Sequence, residues 1–130
     1  MSKRVLFVCV ENAGRSQMAE GFARAYGVNA SSAGTLPAEE VNPTVVQAMR
    51  ERGIALPGKP RMLTEQMINE ADLIVTMGCS VKEICPAPLV QRMQKKVVEW
   101  QIDDPKGKQI EAVRKIRSEI ENKVMELLKR

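Results

Sequence analysis

The chain has 130 residues, of which 44% are hydrophobic, and its 20 basic and 16 acidic side chains give a net charge of +4. This length predicts one domain over residues 1–130 that buries a core without disulfides or metals. The sequence has no histidine, which excludes Cys-His and Ser-His-Asp catalysis and histidine zinc sites, and its three cysteines exclude a fully paired disulfide framework.

Neither nucleic acid nor a membrane is an expected partner. The chain has only four aromatic rings and no run of more than two adjacent cations, which is a poor basis for binding nucleic acid. No apolar stretch approaches the roughly 20 residues that span a bilayer. The basic N-terminus leads into a short apolar run without a small-residue cleavage site, unlike a signal peptide, so we expect a cytoplasmic protein.

Residues 5–16, VLFVCVENAGRS, predict a buried strand, a loop and the start of a helix. The valine-rich run ends at Cys9, and Arg15 and Ser16 follow after five residues. At a helix N-terminus the first backbone N–H groups lack partners and favour an anion, and a thiol there is expected to have a lowered pKa. An oxyanion in this loop could accept backbone N–H bonds and a two-pronged contact from Arg15 while Cys9 attacks its central atom.

Each of these residues also has a structural interpretation. The Cys-x5-Arg spacing arises by chance, and cysteine is among the residues most often buried in strands without any chemistry. Ser16 is a natural cap or first-turn residue, although its hydroxyl could point back and stabilise a Cys9 thiolate. The strand before the loop and the helix after it favour the chemical interpretation.

The rest of the chain predicts alternating helices and strands. In order these are a helix over 15–26 ended by Gly27, a strand over 28–32, a turn over 33–37, a helix begun by Asn42-Pro43 and ended at Gly53, a loop over 54–61, a short helix from Thr64 to Glu70, strands over 71–77 and 97–100, a loop over 101–107 and an amphipathic helix over 109–130. This order predicts an α/β fold: a central parallel sheet of about four strands with helices on both faces and a phosphate-binding loop after the first strand.

Two further cysteines follow the buried strand over 71–77. Cys79 and Cys85 are predicted to lie at the same edge of the sheet as Cys9, because the carboxyl ends of parallel strands share an edge. They could be two unrelated small buried residues. Alternatively, the three cysteines form a relay. Cys9 forms a covalent adduct, Cys79 attacks it and releases the product, and Cys85 attacks Cys79 to close a disulfide that an external reductant opens.

The loop after the strand over 97–100 contains paired acids, Asp103 and Asp104, followed by Pro105. Acids before a proline are often only a turn signal. A carboxyl beside a bound oxyanion can instead act as a general acid that protonates a leaving oxygen. Because it directly precedes the rigid proline, Asp104 is the candidate general acid rather than Asp103.

Six stretches of the chain resemble one known family. They are CVENAGRSQMAEG at 9–21, SSAG at 31–34, the NP-initiated helix at 42–52, ADLIVTMGC at 71–79, the Cys-Pro step at 85–86 and WQIDDP at 100–105. In this order they resemble the arsenate reductases that are built on the low-molecular-weight protein tyrosine phosphatase fold and are recycled by thioredoxin. The phosphate-binding loop is common to reductases and phosphatases, whereas RSQMAEG, VTMGC and the second cysteine pair are typical of the reductases.

The resemblance implies reduction of arsenate to arsenite, an arsenic detoxification reaction, by a relay that ends in a Cys79–Cys85 disulfide reduced by thioredoxin. It implies that Cys9 is the nucleophile, Arg15 the anion anchor and Asp104 the general acid. It also implies that Ser16 stabilises the Cys9 thiolate and that Asn12 shapes the loop. The residues expected to bind the oxyanion are Val10, Glu11, Asn12, Ala13, Gly14, Arg15 and Ser16. Phosphate or sulfate would compete, and we expect a monomer that needs no cofactor and no metal.

Several departures from the family pattern bear on these expectations. Glu11 stands where many relatives have glycine or histidine, and its side chain must point outward if anion affinity is to be kept. Gly14 replaces a cysteine that is common in the family, and the second cysteine pair is six residues apart rather than seven. Arg61 stands where potassium-binding members have an acid, which argues against a potassium site.

Two other functions stay open. A low-molecular-weight tyrosine phosphatase would have the same loop, but such enzymes carry tyrosines after the Asp-Pro step, where this chain has Lys106-Gly107-Lys108. A non-catalytic oxyanion-binding domain would also retain the loop. The intact set of Cys9, Arg15 and Asp104 argues against that third possibility.

Overall fold

The computed structural model describes residues 4–56, 59–77 and 97–129. Within these residues the strands are β1 (Arg4–Cys9), β2 (Asn29–Gly34), β3 (Leu73–Met77) and β4 (Val97–Trp100). The helices within them are α1 (Arg15–Ala25), α2 (Pro43–Arg50), α3 (Glu65–Glu70) and α4 (Ile110–Leu128). All strand pairs are parallel and the strand order is β2-β1-β3-β4. The predicted parallel sheet of about four strands is confirmed.

The two faces of the sheet bury separate apolar clusters, because successive side chains of a strand point to opposite faces. Val5 and Phe7 pack into the larger cluster with side chains of α1, α2 and α4. Leu6 and Val8 pack into the smaller cluster, which includes Ile68 of α3. Helices therefore cover both faces, as the apolar runs of β1 and β3 predict. Among the described helices, none is long and apolar enough to cross a membrane.

Local sequence signals determine where two of the helices begin. The side chain of Asn42 caps α2 by accepting a hydrogen bond of 2.9 Å from the backbone N–H of Thr44. The hydroxyl of Thr64 caps α3 by accepting from the N–H of Met67 at 3.2 Å. In contrast, α1 has no side-chain cap at Gly14 and starts directly from the loop after β1. The first backbone N–H groups of α1 therefore have no side-chain cap.

Strand β2 ends two residues later than the sequence predicts. The predicted turn began at Ala33, but Ala33 and Gly34 belong to the strand, where Gly34 pairs with Cys9 and donates to the carbonyl of Arg61 at 2.8 Å. A Cβ at Gly34 would lie 2.5 Å from the carbonyl oxygen of Val10. This glycine therefore permits a close approach between β2 and the loop after β1, and the prediction of a turn at 33–34 was wrong.

Strand β3 is shorter than predicted and precedes a segment outside the described residues. It begins at Leu73 rather than at position 71, because Ala71 closes α3 by donating to the carbonyl of Met67 at 3.2 Å. The next described strand, β4, has the predicted bounds. Cys79 and Cys85 fall within 78–96, so the position at the sheet edge and the relay predicted for them lie outside the described residues.

An ion-pair cluster joins the end of α2 to α4. The carboxylate of Glu51 accepts from Arg114 through Nη2 at 2.6 Å and Nε at 3.0 Å, and from Nη1 of Arg117 at 2.8 Å. These hydrogen bonds lower the pKa of Glu51 from 4.5 to about 2. The packing of α2 against α4 is therefore expected to weaken in acid.

Candidate active site

Cys9 lies at the carboxyl end of β1 with its side chain buried beneath the loop that follows. Its Sγ is 2.8 Å from the Oγ of Ser16 in the first turn of α1, and it accepts from the backbone N–H of Asn12 at 3.3 Å. The Oγ of Ser16 also accepts from Nδ2 of Asn12 at 2.8 Å. Because that bond uses a lone pair of the hydroxyl, the hydroxyl proton is free to point at the sulfur. The Ser16 hydroxyl and the Asn12 backbone N–H thus both face Cys9 Sγ.

Asn12 is hydrogen-bonded to residues on both sides of the loop. Its side chain is fully buried and its φ of +52° lies in the left-handed region, which asparagine tolerates better than most residues. While Nδ2 donates to Ser16, its Oδ1 accepts from Nε2 of Gln17 at 3.1 Å and from the backbone N–H of Arg61 at 2.8 Å. One side chain therefore ties the loop to α1 and to the segment that precedes α3.

The loop carbonyls point towards residues 36–42. The carbonyls of Val10, Glu11 and Ala13 accept hydrogen bonds from the N–H groups of residues 36, 38 and 42 at 2.8, 2.9 and 2.9 Å. In a trans peptide the N–H points opposite to the carbonyl of the preceding residue. The N–H groups of residues 11, 12 and 14 therefore point away from this segment, as the Asn12 bond to Cys9 illustrates. Successive backbone N–H groups that point to one side of a loop in this way are the arrangement that binds anions in other proteins.

Arg15 connects the loop to the segment after β4. Its side chain is 9% exposed, its Nη1 donates to the carbonyl of Ile102 at 2.9 Å, and its Nη2 lies 3.7 Å from Oδ2 of Asp104. Pro105 packs on Gly14 so closely that a Cβ there would lie 2.7 Å from the proline Cγ. The glycine that departs from the family pattern is therefore what allows Pro105 this approach.

An open cleft of about 550 Å³ brings the predicted residues together. The nucleophile, anchor and acid candidates, Cys9, Arg15 and Asp104, all line it, whereas Asp103 does not. Among the described residues, no aromatic ring lines the cleft. Among the described residues, the lining consists of Cys9, Val10, Glu11, Ala13, Gly14, Arg15, Ala38, Glu40, Asn42, Pro43, Asp104, Pro105 and Lys106. Asn12 and Ser16 do not line the cleft; both are fully buried and hydrogen-bonded to each other and to Cys9 Sγ.

Behind the loop, a buried carboxylate is neutralised by arginines. Glu20 is 1% exposed and its Oε1 accepts from the hydroxyl of Ser32 at 2.7 Å. Nη1 of Arg61 lies 3.7 Å from Oε1, and Nε of Arg24 lies 3.4 Å from Oε2. A buried carboxylate requires such partners. Within residues 4–56, 59–77 and 97–129, no group of three or more cysteines and acids is arranged to hold a metal ion.

The sequence predictions missed two residues of this site. Gln17 supports Asn12 from one turn along α1, and its position directly after the predicted Arg-Ser pair was the available signal. Lys106 places its Nζ 2.9 Å from Oε1 of Glu11, and its backbone N–H donates to Oδ1 of Asp104 at 3.0 Å. The side chain of Glu11, for which the sequence indicated no partner, therefore points towards the loop that carries Asp104 and Lys106.

A cysteine and an arginine on a loop between a parallel strand and a helix, faced by an aspartate before a proline, define the phosphate-binding loop of a low-molecular-weight phosphatase fold. The chain belongs to the low molecular weight phosphotyrosine protein phosphatase family, whose sequence profile matches residues 4–130.

Relatives within this fold carry out more than one reaction. A glutaredoxin arsenate reductase of Synechocystis is 34% identical over 97% of this chain and 96% of its own length. The crystal structure of an arsenate reductase from Archaeoglobus fulgidus has a TM-score of 0.80 at 35% identity, covering 97% of this chain and 99% of that one. The arginine phosphatase YwlE of Geobacillus stearothermophilus has a TM-score of 0.83 at 27% identity, covering 96% and 90%.

Proposed function

We propose that the protein is an arsenate reductase that converts arsenate to arsenite in arsenic detoxification. The observation that carries this proposal is the position of Cys9, whose Sγ lies 2.8 Å from the Ser16 hydroxyl at the base of an anion-binding loop. Arg15 and Asp104 line the same cleft. Together these groups offer a nucleophile, an anion anchor and a proton donor to one tetrahedral oxyanion.

In the proposed first step, the Cys9 thiolate attacks arsenic, and a sulfur–arsenic bond forms as one arsenic–oxygen bond breaks. Asp104 donates a proton to the departing hydroxyl, which leaves as water. The guanidinium of Arg15 and the loop N–H groups hold the remaining oxygens, as donors fixed in advance of the reaction. The product of this step is a covalent Cys9 arsenate adduct.

In the next steps, the thiolate of Cys79 attacks the Cys9 sulfur of this adduct. The electron pair of the sulfur–arsenic bond stays with arsenic, which leaves as arsenite and is thereby reduced by two electrons. The thiolate of Cys85 then attacks the Cys79 sulfur and releases the Cys9 thiolate, so that one disulfide accounts for the two electrons. The roles of Cys79 and Cys85 in this scheme rest on the sequence alone, because both lie outside the described residues.

A phosphatase of this fold is the second candidate, because the YwlE arginine phosphatase shares the fold and a phosphatase would use the same loop and acid. A phosphatase needs Cys9, Arg15 and Asp104 but has no use for Cys79 and Cys85. Two features favour the reductase: the presence of that cysteine pair, and a cleft that no aromatic ring lines among the described residues. Because an aromatic substrate ring would find no stacking partner there, the cleft argues against a tyrosine phosphatase, and the cysteine pair is the feature that argues against an arginine phosphatase as well.

We propose thioredoxin as the terminal reductant. An intramolecular disulfide between Cys79 and Cys85 is opened most readily by a strongly reducing dithiol. The reduction potential of thioredoxin is about −270 mV, against about −200 to −230 mV for glutaredoxins. Because one relative is named as a glutaredoxin arsenate reductase, glutaredoxin is the reductant to compare with thioredoxin. The relay also requires free thiols, which the reducing cytoplasm maintains, and we propose a monomer of one domain acting there.

The test is arsenate-dependent NADPH oxidation with either reductant system. The first arm contains thioredoxin and thioredoxin reductase, and the second contains glutathione, glutaredoxin and glutathione reductase. We expect turnover in the first arm, its loss in both Cys9→Ser and Cys79→Ser, and retained hydrolysis of p-nitrophenyl phosphate in Cys79→Ser alone. Equal arsenate turnover by Cys79→Ser and the parent protein would refute the relay, and turnover only in the second arm would replace thioredoxin.

A further inference from the structure

An ion pair joins the two walls of the cleft. Glu11 belongs to the loop after β1 and Lys106 to the loop that carries Asp104, and their side chains meet at 2.9 Å. Both residues line the cleft together with Cys9 and Arg15. The hydrogen bond from Lys106 to Glu11 raises the pKa of Lys106, so the ammonium group stays charged throughout the neutral range.

The pair affects an entering anion in two ways. An unpaired carboxylate at the second position of an anion-binding loop would repel a dianion, and the ammonium group of Lys106 removes that repulsion. The pair also bridges the loop after β1 and the loop of Asp104, so we expect the organic part of a phosphate ester bound at Cys9 to meet it. A free tetrahedral oxyanion has no such extension.

We propose that the Glu11–Lys106 pair selects small inorganic oxyanions over organic phosphate monoesters at this cleft. This inference rests on the proposed function, because it names the class of oxyanion that the same cleft admits. Lys106 and Glu11 act as specificity-determining residues, and neither contributes a group to the bond-breaking step. The backbone bond from Lys106 to Asp104 is independent of the lysine side chain, so side-chain substitutions leave it in place.

The test uses inorganic phosphate and p-nitrophenyl phosphate, neither of which involves the relay cysteines. Phosphate binding is measured by calorimetry. Ester hydrolysis is measured as kcat/KM. In this reaction the Cys9 sulfur bonds to phosphorus as the ester P–O bond breaks. Asp104 protonates the leaving phenolate where protonation is needed, and water then hydrolyses the thiophosphate. A failure of arsenate reduction would leave both measurements intact, so the two proposals fail separately.

The variants are Glu11→Gln and Lys106→Met, with Lys106→Arg as the conservative replacement. Lys106→Met should weaken phosphate binding by about fivefold, the upper range for an exposed ion pair, because Glu11 is left without its cation. Glu11→Gln should strengthen phosphate binding, because it frees Lys106 to face the anion. In both variants the ratio of ester kcat/KM to phosphate association constant should rise, while Lys106→Arg should retain the parent values.

Two matched controls test for a general charge effect. Lys108→Met and Glu39→Gln remove the same charges from exposed neighbours that do not line the cleft, and both should match the parent. An unchanged ratio in both pair variants would overturn the proposal. A change of phosphate affinity in the same direction in Glu11→Gln and Lys106→Met would also overturn it. If Lys106 neutralises Glu11, removal of the lysine must weaken phosphate binding and removal of the carboxylate must strengthen it.

Discussion

Replacement of Asn12 by alanine should remove the central support of the catalytic loop. The substitution deletes three side-chain hydrogen bonds, to Ser16, Gln17 and the backbone of Arg61, at about 1 kcal/mol each. Alanine in the left-handed region occupied by Asn12 costs roughly 1 kcal/mol more. The expected loss is therefore about 4 kcal/mol of unfolding free energy, or roughly 15 °C in Tm for a chain of this size.

The assay is urea and thermal denaturation, combined with the kinetics of the first chemical step. Asn12→Gly should lose the same hydrogen bonds without the backbone penalty, so it should be more stable than Asn12→Ala. Asn122→Ala, on the exposed side of α4, is the control and should change the unfolding free energy by no more than about 0.5 kcal/mol. If Asn12→Ala lost less than about 1 kcal/mol, the hydrogen bonds of Asn12 would not support the loop as described.

Three further predictions concern the acid loop and the ion-pair cluster. Gly14→Ala should lose about 1–3 kcal/mol of stability and slow arsenate turnover, because the new Cβ meets Pro105. An unchanged rate would show that turnover does not depend on the contact between Gly14 and Pro105. Asp104→Asn should slow adduct formation about 100-fold in stopped-flow measurements while phosphate affinity is little changed; an unchanged rate would make this loop a plain turn. Because its folded pKa is depressed, Glu51 contributes stability that is present above pH 4.5 and lost as the pH falls towards about 2. Glu51→Gln should flatten the pH dependence of Tm in that window, and an unaltered acid profile would contradict the assignment.

The sheet and the helix starts could be predicted because local chemistry determines them. Consecutive apolar residues in β1 and β3 indicate strands that are covered on both faces, and the structure places clusters on each face. The Asn42-Pro43 pair supplies a cap and a fixed backbone angle within three residues of chain. Signals of this kind need no partner from elsewhere in the sequence.

The parts that could not be predicted depend on contacts between distant segments. Glycine is typical of turns, so the sequence predicts a turn at Gly34. Glycine is needed in the strand at this position because the carbonyl oxygen of Val10 lies too close for a side chain. Glu11 is an unexpected acid in an anion loop until Lys106, 95 residues along the chain, is brought against it. Sequence spacing carries no information about such a pairing. The roles of Cys9, Arg15 and Asp104 stay predictions, although the fold brings these three residues to one cleft.

A single-turnover reaction tests the three-cysteine mechanism most directly. Fully reduced protein is mixed with excess arsenate without any reductant, arsenite is quantified, and the thiols are mapped by mass spectrometry after acid quenching. We expect one arsenite per protein chain, a disulfide between Cys79 and Cys85, and a free thiol at Cys9. Three free thiols and no arsenite would contradict it.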